Sequence, residues 1–187
     1  PHIGSIKDSL ASVRGDAVTA SVERTNFVAR PEDGEPFWRR MDVRRVRSLN
    51  FLGQPLPGKV AHRGRADVVV EQGNHRVLVG GQPASCVPAP MSILHFPVRF
   101  QAQFFNKVVK GGQAYERNTE LDPEVGKTWR HLYTLYLAGE LDQAYAREVL
   151  SQQQVAAGLA TGELVRDQRL IEALEQPGAG IHSGIAR

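Results

Sequence analysis

The spacing of hydrophobic and polar residues changes about halfway along the chain. Up to about residue 95 the pattern is mostly that of strands, whereas from Phe100 apolar positions recur every three or four residues, as in helices. This order predicts an α+β fold, a short mixed sheet followed by a helical C-terminal region, or the back part of a larger α/β domain. The predicted elements are a helix over 6–13, a strand over 17–30, a loop over 31–36, two or three strands over 59–81, an irregular connection over 82–90, and helices over 100–112, 125–137, 141–157 and 164–175.

Composition is that of an ordinary globular protein. The chain has 187 residues, of which 41% are hydrophobic and 23% charged, and a formal net charge of +3 that is too small to indicate a nucleic-acid partner. It has no apolar run long enough to predict a transmembrane segment, and its first residues do not resemble a signal peptide. Cys86 is the single cysteine, which excludes an internal disulfide and favours a reducing compartment.

Five arginines are interleaved with apolar residues in the segment 37–47, FWRRMDVRRVR. One interpretation is a nucleic-acid-binding strip, because arginine suits phosphates and an aromatic neighbour could stack on bases. The other is an amphipathic segment whose arginines lie in solvent and pair with acids such as Asp33, Glu35 and Asp42. The second is favoured, because no nucleic-acid-binding motif accompanies the arginines. They are Arg39, Arg40, Arg44, Arg45 and Arg47.

The segment 93–112, ILHFPVRFQAQFFNKVVKGG, joins the two halves of the pattern. His95 ends an apolar strand before a proline, where a histidine can be either structural or a ligand contact. In the helix that follows, Arg99 and Lys107 are predicted to share a polar face that suits an anion such as a diphosphate, although a solvated face gives the same pattern. His75 lies in a predicted turn, QGNHRV, and is open to both interpretations as well.

Four short motifs occur in a recognisable order. They are GKVAHR (58–63), QGNH (72–75), ILHFPVRFQAQFFNKVVKGGQAY (93–115) and WRHLY (129–133). This series resembles the C-terminal half of a bacterial family-2-type glycosyltransferase of the GT-A fold, in the branch related to the family-92 enzymes. There a strand ending in His-aromatic precedes R-S-x-x-Q-F-x-x-K-V-x-x-G. The resemblance runs from about Ile6 to about Tyr145, and the matching residues are His95-Phe96, Arg99, Gln103-Phe104, Lys107-Val108 and Gly111.

The resemblance implies transfer of a sugar from a nucleotide-sugar donor to a carbohydrate or glycan acceptor. A divalent cation, Mn²⁺ or Mg²⁺, would neutralise the diphosphate leaving group. By the same resemblance His95 is a metal ligand, and Arg99 and Lys107 bind the donor diphosphate. The implied location is cytoplasmic, including the inner face of the membrane. Three residues are assigned to the donor or acceptor pocket: Asn26, Lys59 and His75.

The sequence departs from this family at two points. Phe100 stands where the family has serine, and no Asp-x-Asp motif occurs anywhere in the chain. In the family that motif and the nucleotide-binding strand–helix units lie upstream of the matching part, and one histidine cannot hold Mn²⁺ in its usual oxygen-rich site. We therefore expect the chain alone to be inactive, with its metal site completed by residues that it lacks. The catalytic base is unknown, and three acids are candidates by residue type only: Asp67, Glu71 and Glu120.

This interpretation divides the chain into three parts. Residues 1–115 form the C-terminal part of a GT-A-like domain, residues 116–176 a helical extension, and residues 177–187 a disordered tail without apolar periodicity. The alternative is a non-catalytic domain that binds a polyanion through the five arginines, or a protein partner through the helical residues 126–175. Neither the sugar, the oligomeric state nor the stereochemical outcome is indicated by the sequence.

Overall fold

The structure, a computed structural model, describes residues 5–13, 15 and 17–175. Over these residues the protein is of the mixed α+β class that the sequence predicted, with small sheets. The predicted tail, 177–187, lies outside the described residues. The helices are α1 (Ile6–Ala11), α2 (Phe37–Arg40), α3 (Gln101–Arg117), α4 (Lys127–Leu137), α5 (Leu141–Glu148), α6 (Gln152–Thr161) and α7 (Arg169–Glu175). The strands are β1 (Thr19–Asn26), β2 (Val43–Arg45), β3 (Lys59–His62), β4 (Val68–Val70), β5 (Val77–Val79), β6 (Gln82–Pro83), β7 (Val87–His95) and β8 (Leu164–Arg166).

The chain forms two compact units whose segments alternate along the sequence. The first unit takes the described residues of 1–25, 55–95 and 169–187, and the second takes 26–54 and 96–168. The predicted boundary between residues 115 and 116 falls inside α3, which is continuous across it. No helix in the described ranges is long and apolar enough to cross a membrane.

The first unit is built on a three-stranded sheet in the order β3-β1-β7. β1 pairs antiparallel with β3, so that Ser21 lies opposite Val60. On its other side, hydroxyl groups of β1 donate to carbonyls of β7 and of Ser85, two residues before β7, and these bonds advance in the same direction along both segments, as they do when strands run parallel. They join Thr19 Oγ1 to Ser85 O (2.6 Å), Ser21 Oγ to Val87 O (3.4 Å) and Thr25 Oγ1 to Ile93 O (3.5 Å).

A second small sheet in the same unit has the order β4-β5-β6 and is antiparallel throughout. β5 and β6 are joined by Gly80 and Gly81, whose φ angles are +58° and +78°. Two consecutive residues of positive φ make the tight turn that matches the twist of a hairpin, and glycine adopts it without strain. The turn between β4 and β5 is longer and carries residues 71–76.

The second unit has its main core where α3, α4 and α5 pack together. The apolar stripe predicted for α3 is confirmed at Phe104 and Val108, which are buried. Gly111 and Gly112 lie inside this helix, where the aromatic side chains of α4 contact it closely. The buried members of this core are Ala29, Val98, Phe104, Val108, Leu132, Leu141 and Ala144.

A two-stranded sheet gives the second unit its other core. β2 pairs antiparallel with β8, with Arg44 opposite Val165. Side chains of these strands bury against α6, which contacts β8 directly. The buried members of this smaller cluster are Val28, Val43, Val155 and Leu164.

Two predictions of local structure were wrong because distant residues decide them. Residues 82–90 contain β6 and the start of β7 instead of an irregular connection, and β7 tolerates its prolines because it is an edge strand of its sheet. The start of the last predicted helix, at Leu164, is the strand β8, because these residues pair with β2. Helix α3 also continues five residues beyond 112, to Arg117.

The predicted helix over 141–157 is two helices, α5 and α6. The break comes where Leu150 N donates a hydrogen bond to the carbonyl of Ala29 at 2.9 Å, as in an extended chain. Ser151 and Gln154 then form a reciprocal capping box that begins α6. The Ser-x-x-Gln spacing is a helix-start signal that the sequence already contains.

Candidate functional site

Two of the residues predicted for the donor or acceptor pocket, Lys59 and His75, lie together in the first unit. Lys59 begins β3, and His75 lies in the turn before β5. The Lys59 ammonium donates a hydrogen bond to the carbonyl of Gly73. His75 Nδ1 lies 2.7 Å from the carbonyl of Gly58, and since a carbonyl only accepts, this nitrogen carries the proton. Lys59 therefore binds the backbone of the turn that carries His75, and His75 binds the backbone of the residue before Lys59.

Two glycines make this close arrangement possible. A Cβ built on Gly58 would lie 2.7 Å from the carbonyl oxygen of Val22 in the neighbouring strand. A Cβ on Gly73 would lie 2.8 Å from Cδ2 of His75, and Gly73 also has φ +79°, a conformation that other residues rarely adopt. The turn that presents His75 thus depends on glycine at both places.

A third cation, Arg24 of β1, belongs to the same group and was not predicted. Its Nη2 donates to the carbonyl of Pro57 at 3.2 Å, directly before Gly58, and its Nε is buried without a hydrogen-bond partner. The sequence does carry a signal for it, since strand alternation places Arg24 on the same face as the buried Ala20 and Val22. We call Arg24, Lys59 and His75 the basic cluster.

Burial acts on every member of the basic cluster, and repulsion between cations acts on Lys59 and His75. Burial lowers the pKa of Arg24. It also lowers the pKa of Lys59, and the charge of Arg24 adds to this effect. Burial is again the main cause that lowers the pKa of His75; Lys59 and Arg24 contribute, while the Gly58 carbonyl opposes them. A group of cations in such surroundings favours the binding of an anion.

Asn26 and His95, the other two residues predicted to contact metal or substrate, end strands. Asn26 is 7% exposed, and its backbone N–H donates to Ser48 Oγ at 2.9 Å while its Nδ2 donates to the carbonyl of Leu49 at 3.3 Å. These bonds hold the segment after β2 in place. His95 is the last residue of β7, directly before the turn at Pro97, so the predicted strand end is confirmed there.

Arg99 and Lys107 do not form the shared helix face that was predicted. Phe100 has extended backbone angles and α3 begins only at Gln101, so Arg99 lies outside the helix. Its guanidinium carbon lies 5.2 Å from the centre of the Phe37 ring, and the Lys107 ammonium lies 5.2 Å from the centre of the Trp129 ring. Each cation therefore stacks on its own aromatic partner.

The implied metal is not supported by the side chains at hand. Within the described ranges, no group of three or more His, Cys, Asp or Glu side chains could hold a metal ion. Mn²⁺ and Mg²⁺ require several oxygen ligands, which His95 alone does not supply. The donor set of this chain thus does not fit the implied cofactor.

The three acids proposed by residue type have ordinary structural surroundings. Asp67 accepts two hydrogen bonds from Arg65, at 2.8 and 2.7 Å, and this contact lowers its pKa. Glu71 pairs with Arg76 at 2.7 Å, and Glu120 lies exposed before α4. A different acid, Glu148 of α5, was not among the candidates. Burial raises its pKa, and the charge of Arg45 lowers it to a smaller extent.

Three of the five arginines of 37–47 have protein partners; Arg39 lies in solvent beside an acid, as the favoured interpretation predicted, whereas Arg40 is buried. Arg39 lies 3.6 Å from Glu35 in an exposed pair, whereas the Arg40 side chain is 6% exposed and donates to the carbonyl of Arg99. Arg44 Nε donates to Asp167 Oδ2 at 2.9 Å. The acid Asp42 pairs with a residue outside the segment, Arg166.

Comparisons of the chain with models of protein families, with curated proteins and with solved structures found no match. The resemblance of residues 93–115 to glycosyltransferases therefore stays a prediction. In the described residues, the basic cluster brings together two residues that the resemblance assigned to the pocket, Lys59 and His75.

Proposed function

We propose that this chain is part of a glycosyltransferase of the GT-A type, which transfers a sugar from a nucleotide-sugar donor to a carbohydrate or glycan acceptor in the bacterial cytoplasm. The proposal starts from the ordered motifs at 58–63, 72–75, 93–115 and 129–133. A nucleotide-sugar carries a diphosphate, so an enzyme of this kind needs cationic or metal groups where the leaving group departs.

The single observation that supports it most is the pair of hydrogen bonds that join the segments of Lys59 and His75. Two separate motifs supply these residues, and the resemblance assigned both to the donor or acceptor pocket before their positions were known. In the structure, Lys59 binds the turn that carries His75, and His75 binds the segment that carries Lys59. In the proposed enzyme both would face the anionic donor.

Metal chemistry is not assigned to this chain. No Asp-x-Asp motif occurs in the sequence, and the acids near the proposed pocket are not grouped as ligands. His95 keeps its proposed role as one contact to a metal or diphosphate whose other ligands come from elsewhere. We therefore expect the 187-residue chain alone to show no sugar transfer.

A transfer assay tests the proposal. The chain is extended by any coding sequence found in frame before Pro1, and release of nucleoside diphosphate is measured with a panel of nucleotide-sugars in the presence of Mn²⁺ or Mg²⁺. Turnover that falls in Lys59→Met and His75→Gln, but not in the exposed control Arg65→Gln, supports the proposal. Absence of turnover with every donor, in an extended protein that is folded, contradicts it. Undiminished turnover in His95→Ala removes His95 from the mechanism.

The alternative of a polyanion-binding strip has less support from the contacts. Arg39, Arg40 and Arg44 are engaged with acids or backbone carbonyls of the second unit. A strip for nucleic acid needs its cations directed at phosphates, and its binding would weaken steeply with salt. Salt-sensitive binding of an oligonucleotide that is lost in Arg39→Gln would favour this alternative over the glycosyltransferase.

A further inference from the structure

The basic cluster contains cations without a compensating acid. Arg24 donates to the Pro57 carbonyl, and Lys59 and His75 have the carbonyls of Gly73 and Gly58 as their partners. Carbonyl oxygens orient these groups but carry no net charge. Within the described part of the chain, no carboxylate forms an ion pair with any of the three.

Two arginines outside the basic cluster show what is unusual here. Arg44 is matched by the buried Asp167, and Arg65 is matched by Asp67 through two hydrogen bonds. Like charges held close together in a partly desolvated place repel one another, and water screens them less than it does at the surface. The basic cluster therefore retains a positive field that a bound anion would compensate.

We propose that Arg24, Lys59 and His75 form a binding site for a phosphate or diphosphate group. Two permanent cations and a histidine suit an anion of two or more negative charges better than a single carboxylate. Arginine offers a planar fork and lysine a point charge, the pair of donors that phosphate sites commonly combine. The glycines at 58 and 73 bring backbone and side chains into this small region without a Cβ in the way.

The anion can come from two sources, a nucleoside diphosphate group or a free inorganic phosphate. The first source rests on the proposed glycosyltransferase function, and the second does not. In both, the recognising chemistry is the same set of charge-assisted hydrogen bonds. Arg24 is the new member of the site, since the resemblance assigned no role to it.

The test uses the full chain and inorganic pyrophosphate as the probe. Titration calorimetry at low salt is expected to show saturable binding at one site. Arg24→Gln and Lys59→Gln should each weaken it by about tenfold or more, as loss of one charge-assisted hydrogen bond does, and His75→Gln should do so in acid, where the ring is protonated. The matched control Arg65→Gln removes the same charge from the same unit and should change the affinity less than about twofold.

Two results would overturn the site. One is the absence of saturable pyrophosphate binding, and the other is an equal loss in Arg65→Gln, which would mean that only diffuse charge acts. Because Arg24→Gln could unfold the strand, the wild-type chain is also examined by amide NMR. Shifts induced by pyrophosphate should concentrate at residues 24, 58–59 and 73–75, and shifts confined to other residues would contradict the site without any variant.

Further arms separate the two sources and the two proposals. A nucleoside diphosphate that binds about tenfold more tightly than pyrophosphate supports donor binding at the site. Equal affinity supports a phosphate site and counts against its use for the donor. Sugar transfer by the extended protein that is unchanged in Arg24→Gln overturns donor binding at this site but leaves the glycosyltransferase. If the chain binds pyrophosphate but the folded, extended protein transfers no sugar, the result supports the phosphate site and contradicts the glycosyltransferase.

Discussion

Gly112 of α3 lies directly against the ring of Tyr133 of α4. A Cβ built on Gly112 would stand 2.2 Å from Cγ of Tyr133, far inside van der Waals contact. One residue earlier, a Cβ on Gly111 would stand 3.0 Å from Cε3 of Trp129. The glycine pair thus sets how closely α4 approaches α3, and it places the Trp129 ring under the Lys107 ammonium.

Gly112→Ala should destabilise the second unit even though alanine is the better helix former. In an exposed helix this change gains up to about 1 kcal/mol. Here the added methyl group must displace a buried aromatic ring, which costs about 2–4 kcal/mol. Denaturant unfolding measures the difference, and Gly111→Ala is the graded comparison, since its neighbour is farther away. Equal or greater stability of Gly112→Ala would contradict the packing described for α3 and α4.

Helix α3 shows which structural features can be predicted from the sequence and which cannot. The 3.6-residue spacing of Phe104 and Val108 predicted the buried face of α3 correctly, because that face follows from local periodicity. The sequence does not reveal why glycine stands at 111 and 112, because the reason is an aromatic ring on another helix. Leu164 likewise becomes a strand residue only through its pairing with β2.

The basic cluster, too, could be predicted from the sequence only in part. The resemblance predicted Lys59 and His75 as pocket residues, and of β1 it assigned only Asn26, so Arg24 was missed. Alternation along β1 could have indicated it, as an arginine on an otherwise apolar face. Arg99 and Lys107 do not share a helix face, because α3 begins only after Arg99. Periodicity does not reveal at which residue the helix begins.

Arginines of the segment 37–47 should differ sharply in their effect on stability. Arg44 pairs at 2.9 Å with Asp167, whose side chain is 5% exposed. Removing Arg44 takes a charged partner from that buried carboxylate, and we expect Arg44→Ala to lower the free energy of unfolding by about 2–4 kcal/mol. Arg39→Ala breaks an exposed pair and should cost less than about 1 kcal/mol. Comparable losses in the two variants, measured by urea unfolding, would refute the distinction.

Gly73→Ala should disrupt both the turn and the basic cluster. The backbone at Gly73 has φ +79°, and the new methyl group would meet the His75 ring at 2.8 Å. The expected cost is about 1–3 kcal/mol in stability, together with loss of pyrophosphate binding. Gly81→Ala is the matched control, because Gly81 has nearly the same φ of +78° but nothing within 4 Å of its Cβ. It should show the strain alone and keep pyrophosphate affinity; if it loses that affinity too, the steric explanation fails.

His75 should make the unliganded protein less stable in mild acid. Its folded pKa is lowered below the ordinary 6.5, first by burial and then by Lys59 and Arg24. As pH falls below about 6.5 the unfolded chain takes up a proton that the folded chain does not, so stability decreases until the folded pKa is passed. Above that range the contribution is constant.

Thermal unfolding of wild type and His75→Gln between pH 5 and pH 8 measures this contribution. The difference between the two proteins should be constant above about pH 7 and should change as the pH is lowered. Pyrophosphate should reduce the change, because an anion favours the protonated ring. NMR titration of the His75 ring checks the cause independently: a midpoint at or above 6.5 in the absence of anion would contradict it.

The hydroxyl of Tyr145, in the second unit, should keep its proton to a higher pH than an ordinary tyrosine does. Its hydroxyl donates to Glu32 Oε1 at 3.0 Å, and burial, this hydrogen bond and the charge of Glu32 raise its pKa to about 12. Between the ordinary value of 10 and about 12, the unfolded chain loses the phenolic proton while the folded chain retains it. Stability that Tyr145 provides below pH 10 is therefore lost as the pH rises through this window.

Ultraviolet titration of the phenolate, compared between wild type and Tyr145→Phe, measures this prediction. The phenolate absorbance that Tyr145→Phe removes should appear in wild type only near pH 12, or with unfolding if that comes first. Glu32→Gln removes the charge but keeps an acceptor for the hydroxyl, so it should lower the midpoint while leaving the fold intact. Ionisation of Tyr145 near pH 10 in the folded wild type would show that the contact with Glu32 does not persist in solution.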